Sequence, residues 1–137
     1  MNERGSALVE TLLLGLLLLV PLIWTLGILA DLHRAALATT AAAREAGFDA
    51  ARATTVSEAE RAVDAAIAAA LVDHGVDPSR ARVEWTRSRL ARGAPVEVTV
   101  SYSVPVLQAP FLGDAGGPGI TVNASHVARV DPYRSRP

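Results

Sequence analysis

Residues 5–30 read GSALVETLLLGLLLLVPLIWTLGILA, and from Thr11 to Ala30 the chain carries no formal charge. A helix of that uncharged length rises about 1.5 Å per residue and spans roughly 30 Å, the hydrocarbon thickness of a bilayer. Arg4 and Glu10 bound it on one side, and Asp31, His33 and Arg34 on the other. The stretch reads as a single membrane-spanning helix over residues 6–30. Everything else in the fold must then be built from what remains.

Glu10 stands just inside the apolar stretch, where an unpaired carboxylate costs on the order of a few kcal/mol. One reading places it at the headgroup level, marking the helix end beside Arg4. The other takes Arg4-Gly5 as a processing site. A cut after Gly5 makes Ser6 the new N-terminus and Glu10 the fifth residue, with amine and carboxylate one helical turn apart. Packed side by side, such helices let the Glu10 of one subunit neutralise the amine of its neighbour. A buried charge whose partner lies on another chain is a device for assembly.

A short leader ending in Gly, a Glu at the fifth mature position and a long apolar helix resemble the N-terminus of the type IV pilin class. The few-residue leader, the apolar run interrupted by Pro21, and the later VEVTVSYSVPV and ITVNASHVARVDPYR resemble the TadE-like proteins of Flp (tight-adherence, type IVc-like) pili. Thr11 stands where many members carry an aromatic residue. The resemblance implies a pilin-like minor pilin or assembly factor. It would be held by one span in the bacterial cytoplasmic membrane with its C-terminal domain extracytoplasmic. It also implies processing at Gly5 and Ser6, assembly through Glu10, and incorporation into the pilus as one outcome. The implied partners are other pilin-like subunits, the inner-membrane pilus assembly platform, a prepilin peptidase and membrane lipid. Counting basic residues alone, with Arg34, Arg44 and Arg52 after the span, leans towards the opposite orientation.

The 137 residues leave room for one small domain beyond the span. Aromatic residues make up 4% of the chain, so that domain must build a thin core from Val, Ile, Leu and Ala. A net charge of −1 gives no electrostatic reason to expect nucleic acid. All 13 basic residues are arginine, which reads as coding bias. The absence of cysteine excludes disulfides, thiol catalysis and lipid attachment at Cys.

The organisation expected is a leader over 1–5, the span over 6–30, a helical extension over 31–53, a small α+β domain over 54–131 and a tail over 132–137. After Ala30 the chain stays rich in helix formers, with one Gly (Gly47), so the first helix should run on to about Ala46. Pro21 should kink it. Ala35, Ala36, Ala38, Ala41, Ala42 and Ala43 would offer a slim surface to another helix, or in a monomer would simply be exposed alanine. Ser57 with Glu60 three residues on reads as a capping box opening a second, amphipathic helix over about 57–74. Its stripe is Val63, Ile67 and Leu71, and Gly75 and Pro78 end it. A three-stranded antiparallel sheet follows. Residues 82–90 set Val83 and Trp85 on one face, and residues 91–94 turn the chain. Val96, Val98, Val100, Tyr102, Val104 and Val106 then face inward opposite Glu97, Thr99, Ser101 and Ser103. Pro105 marks an edge or the end of the ladder. A Gly/Pro-rich loop over 108–119, pinned by Phe111 and Leu112, precedes the last strand over about 120–130.

No catalytic constellation stands out, and no cofactor or metal is implied. His33, His74 and His126 lack partners at ligand spacing and read as surface or junction residues. Residues 113–117 are Gly-rich but open no helix, and Asn123-Ala124-Ser125 fits a glycosylation acceptor by chance. The expectation is therefore not an enzyme. Two other classes remain. One is a membrane-anchored binding module unrelated to pili, using the 111–119 loop. The other is a secreted protein whose apolar segment is a signal cut after Ala30, although Ile28-Leu29-Ala30 lacks the usual small-residue pattern.

Overall fold

The computed structural model describes residues 3–86, 90–106 and 118–133. The α+β class and the element order are as the sequence indicates: helix α1 (Glu3–Arg52), helix α2 (Val56–Asp73), a single 3-10 turn (Pro78–Arg80), then strands β1 (Ala81–Trp85), β2 (Pro95–Pro105) and β3 (Gly119–Arg129). The chain divides into two compact units, Met1–Asp31 and Leu32–Pro137. Helix α1 begins three residues before Ser6 and ends six after Ala46.

In the second unit, residues 32–52 of α1 join α2 in one hydrophobic cluster with the inner face of the sheet. The strand order is β1-β2-β3, both pairs antiparallel. β2 alternates as expected: Val96, Val98, Val100, Tyr102 and Val104 are buried, while Val106 is only half-buried. Val100 pairs with Val83 and Val98 with Trp85, so β1 presents its odd residues to the core. β1 is shorter than expected, and Val83 remains 37% exposed at its outer edge. β1 pairs with β2 only as far as Tyr102, which leaves Pro105 where β2 has no neighbour on that side and a missing N–H is harmless. Gly93, at φ +73°, makes the turn between β1 and β2, a conformation that disfavours any residue with a Cβ.

The alanines of α1 do not wait for another helix. Ala35, Ala38, Ala42, Ala43 and Ala46 are buried inside their own domain with Ala59, Val63, Ala66, Ile67, Ala70 and Leu71 of α2. Small residues let the packed elements approach closely, which suits a core with few large side chains. Thr39 is the one polar residue buried among them; its hydroxyl donates to the Ala35 carbonyl at 2.9 Å, so no polar atom is stranded.

The start of α2 differs from the expected Ser57 cap. Thr55 is the N-cap: its hydroxyl accepts from the Glu58 N–H at 3.2 Å, and the Glu58 carboxylate accepts from the Thr54 N–H at 2.7 Å and from the Thr54 hydroxyl. Both Thr55…Glu58 and Ser57…Glu60 satisfy the capping pattern. The earlier pair wins because Glu58 reaches back to satisfy the chain entering the helix. Thr55→Ala should therefore cost about 1 kcal/mol of stability and Ser57→Ala a few tenths, read by urea denaturation. Equal losses would overturn the assignment. At the other end Gly75 (φ +67°) donates to the Val72 carbonyl and Val76 to that of Leu71, at 2.8 and 2.9 Å, closing a Schellman motif. Asp77 caps the 3-10 turn, and its bond from the Ser79 N–H holds its carboxyl below the usual range.

Candidate membrane anchor and assembly site

The first unit is defined by what it leaves uncovered. Leu8, Leu12, Leu17 and Leu18 are each 70% exposed or more, and the other large apolar side chains as far as Leu29 are exposed or nearly so. An apolar surface of this extent is not tolerated in water by a monomer. α1 holds the one described helix long and apolar enough to cross a membrane, which is compatible with single-pass anchoring. Its hydroxyls suit a lipid environment: Thr11 donates to the Ala7 carbonyl and Thr25 to that of Pro21, each at 2.8 Å. The helix continues through Pro21.

Gly5, Ser6 and Glu10 all fall within the opening turns of α1. Ser6 and Glu10, four residues apart on a helix, share one face. Glu10 is exposed, and none of the described residues of its own chain pairs with it. The expected loop contacts, Phe111 and Leu112, and the glycines over 113–117 lie outside the described residues.

The second unit holds a contact that the sequence did not signal. Phe48 of α1 stacks on His126 of β3 at 5.1 Å between ring centroids and 54° between planes, and the Arg44 guanidinium carbon stands 5.8 Å from the Phe48 centroid. Here the helix lies so close to β3 that a Cβ on Gly47 would come within 2.9 Å of His126 Cδ2. The available signal was the lone glycine in a helix-forming stretch, which marks close approach. His126 is thus a junction residue between helix and sheet. His74 sits at the end of α2 with Nδ1 2.8 Å from the Ala70 carbonyl. His33 is exposed on α1. An open groove of about 340 Å³ beside this junction is lined by Phe48, Ala51, Arg52, Arg129 and Asp131. Among the described residues no three His, Asp or Glu side chains are grouped to hold a metal.

No protein-family model, curated protein or solved structure matches this chain. The chemistry of the residues themselves must carry the functional reading.

Proposed function

We propose that this is a pilin-like membrane protein that acts as a minor pilin or assembly factor of a Flp-type pilus. The observation that carries the reading is Glu10: a carboxylate at the head of an apolar helix, one turn after Ser6, without a partner among the described residues of its own chain. After cleavage between Gly5 and Ser6, the α-amine of a neighbouring subunit supplies that partner and fixes the stagger of packed helices. The apolar segment holds the protein in the bacterial cytoplasmic membrane until a prepilin peptidase and the assembly platform act on it. The domain on the extracytoplasmic side then primes, caps or decorates the filament.

The mass of the N-terminal peptide from native membranes tests this directly. The expected mature chain begins at Ser6. An intact Met1 start would reduce the segment to a plain anchor, and a start at Asp31 would make it a secretory signal. In the same membranes Glu10→Ala should leave insertion unchanged and reduce co-purification with pilin subunits several-fold. Undiminished association would end the pairing mechanism.

A further inference from the structure

Inside hydrocarbon every polar group needs a partner, and the middle of α1 holds two that have none among the described residues. The hydroxyls of Thr11 and Thr25 are answered by carbonyls of their own helix. Pro21 has no N–H, so the Leu17 carbonyl four residues earlier lacks the donor that a helix supplies. No polar side chain occurs from Leu12 to Val20, and the Thr25 hydroxyl is directed at the Pro21 carbonyl instead. The second group is the indole N–H of Trp24, a side chain 47% exposed that finds no acceptor on its own helix. Leu17 and Trp24 each stand six residues, about 9 Å, inside one end of the uncharged run from Thr11 to Ala30. That is too deep for the headgroup level at which an indole is usually satisfied. Donor and acceptor also share a face. Seven residues apart on a helix, Leu17 and Trp24 differ by about 20° in direction, and Ser6 and Glu10 fall within about 40° of both.

We propose that a second copy of α1 packs in parallel on this face, and that the Trp24 indole N–H of one copy donates to the Leu17 carbonyl of the other. The same sequence inserts the same way in every copy, which makes the helices parallel, and each copy carries both halves of the bond. Lipid chains offer neither donor nor acceptor. Helix side chains lean toward the N-terminus and helix carbonyls point toward the C-terminus. The two groups therefore close from a Cα separation of about 10 Å along the axis to a difference in level of about one turn. A neighbour displaced by that one turn toward the C-terminal end completes the bond. A displacement of the same sense and similar size brings Glu10 of one copy to the Ser6 amine of its neighbour, four residues away on the same stripe. Trp24 and Leu17 thus hold in the middle of the membrane the register that Glu10 sets at its edge. The pairing rests on the single-span reading and does not require the pilus.

The test uses the full, uncleaved chain in detergent micelles, where Ser6 carries no free amine and association reads Trp24 and Leu17 alone. Chains carrying Tyr133→Cys, at a position 91% exposed, take donor or acceptor dyes, and the lack of native cysteine leaves no background. Energy transfer between them should rise with the protein-to-detergent ratio. Trp24→Phe keeps an aromatic ring and removes the N–H, whereas Pro21→Ala restores the N–H that the Leu17 carbonyl lacks. Each should weaken association about 3–20-fold, the range for a hydrogen bond between membrane helices. The double variant should be no weaker than either single one, because both changes remove the same bond. Trp24→Phe combined with Leu26→Trp moves the indole to the opposite face and should stay weak. A parent chain monomeric at every ratio, a single variant that associates undiminished, additive losses, or rescue by Leu26→Trp would each overturn the pairing. Alkali resistance of the same chains in membranes reads the span separately: its loss in the parent sinks the span, and dissociation with resistance intact sinks the pairing alone.

Discussion

Leu71→Ala should lower the melting temperature of the folded domain by roughly 15–40 °C. Leu71 is fully buried and is the largest side chain among those with no exposure. It also supplies the carbonyl that receives the Val76 N–H, and both residues belong to the same core cluster. Truncating a buried leucine costs about 2–5 kcal/mol, depending on how far the cavity collapses. Neighbours here are largely alanine and valine, which have no long side chains to swing into the void, so the upper half of that range applies. For a domain of this size each kcal/mol shifts the midpoint by about 4–8 °C, and total stability is only about 5–15 kcal/mol. Val72→Ala, one residue further on at 61% exposure, should move the midpoint by no more than a few degrees. Calorimetry of the two variants side by side checks the claim. A Leu71→Ala midpoint within a few degrees of the parent would mean that α2 does not organise the core.

The second large effect lies in the other unit. Leu17→Arg combined with Val20→Arg should abolish stable membrane integration. Each arginine near the centre of a span costs about 3 kcal/mol on insertion-based scales, roughly 6 kcal/mol for the pair. That is comparable with the whole favourable contribution of a run of this length. The expected result is a shift of the protein from the alkali-resistant membrane fraction to the soluble or degraded fraction. Neither position belongs to the unit Leu32–Pro137, so the melting transition of that unit should survive in whatever protein is recovered. Retention in the membrane at the parental level would sink the single-span reading.

The parts of the fold that were legible in the sequence are those with one dominant period. β2 alternates over ten residues, and its buried and exposed positions follow from that alternation alone. The apolar run of α1 announces itself by length. The alanine-rich stretch after it was harder, because a small residue at helical spacing carries the same pattern whether it faces its own domain or a foreign helix. Tertiary packing decided for the former. The cap of α2 was ambiguous by two residues because two Ser/Thr-x-x-Glu patterns overlap there, and a side chain reaching backward settled it. The Phe48–His126 junction joins positions far apart in the chain, beyond the reach of local pattern. Glu10 was visible as a charge at the edge of an apolar run, where an unpaired carboxylate is costly.

The buried alanines of α1 have a consequence for how this domain tolerates change. In most cores the residues that contribute the largest area are the least replaceable. Here Ala38, Ala42 and Ala46 have no exposed surface, and each can be altered only by enlargement or by glycine. Enlargement overpacks a core with no room beside these positions, and glycine loosens the helix itself. The positions that look plainest in the sequence are therefore the ones at which natural variation should be narrowest.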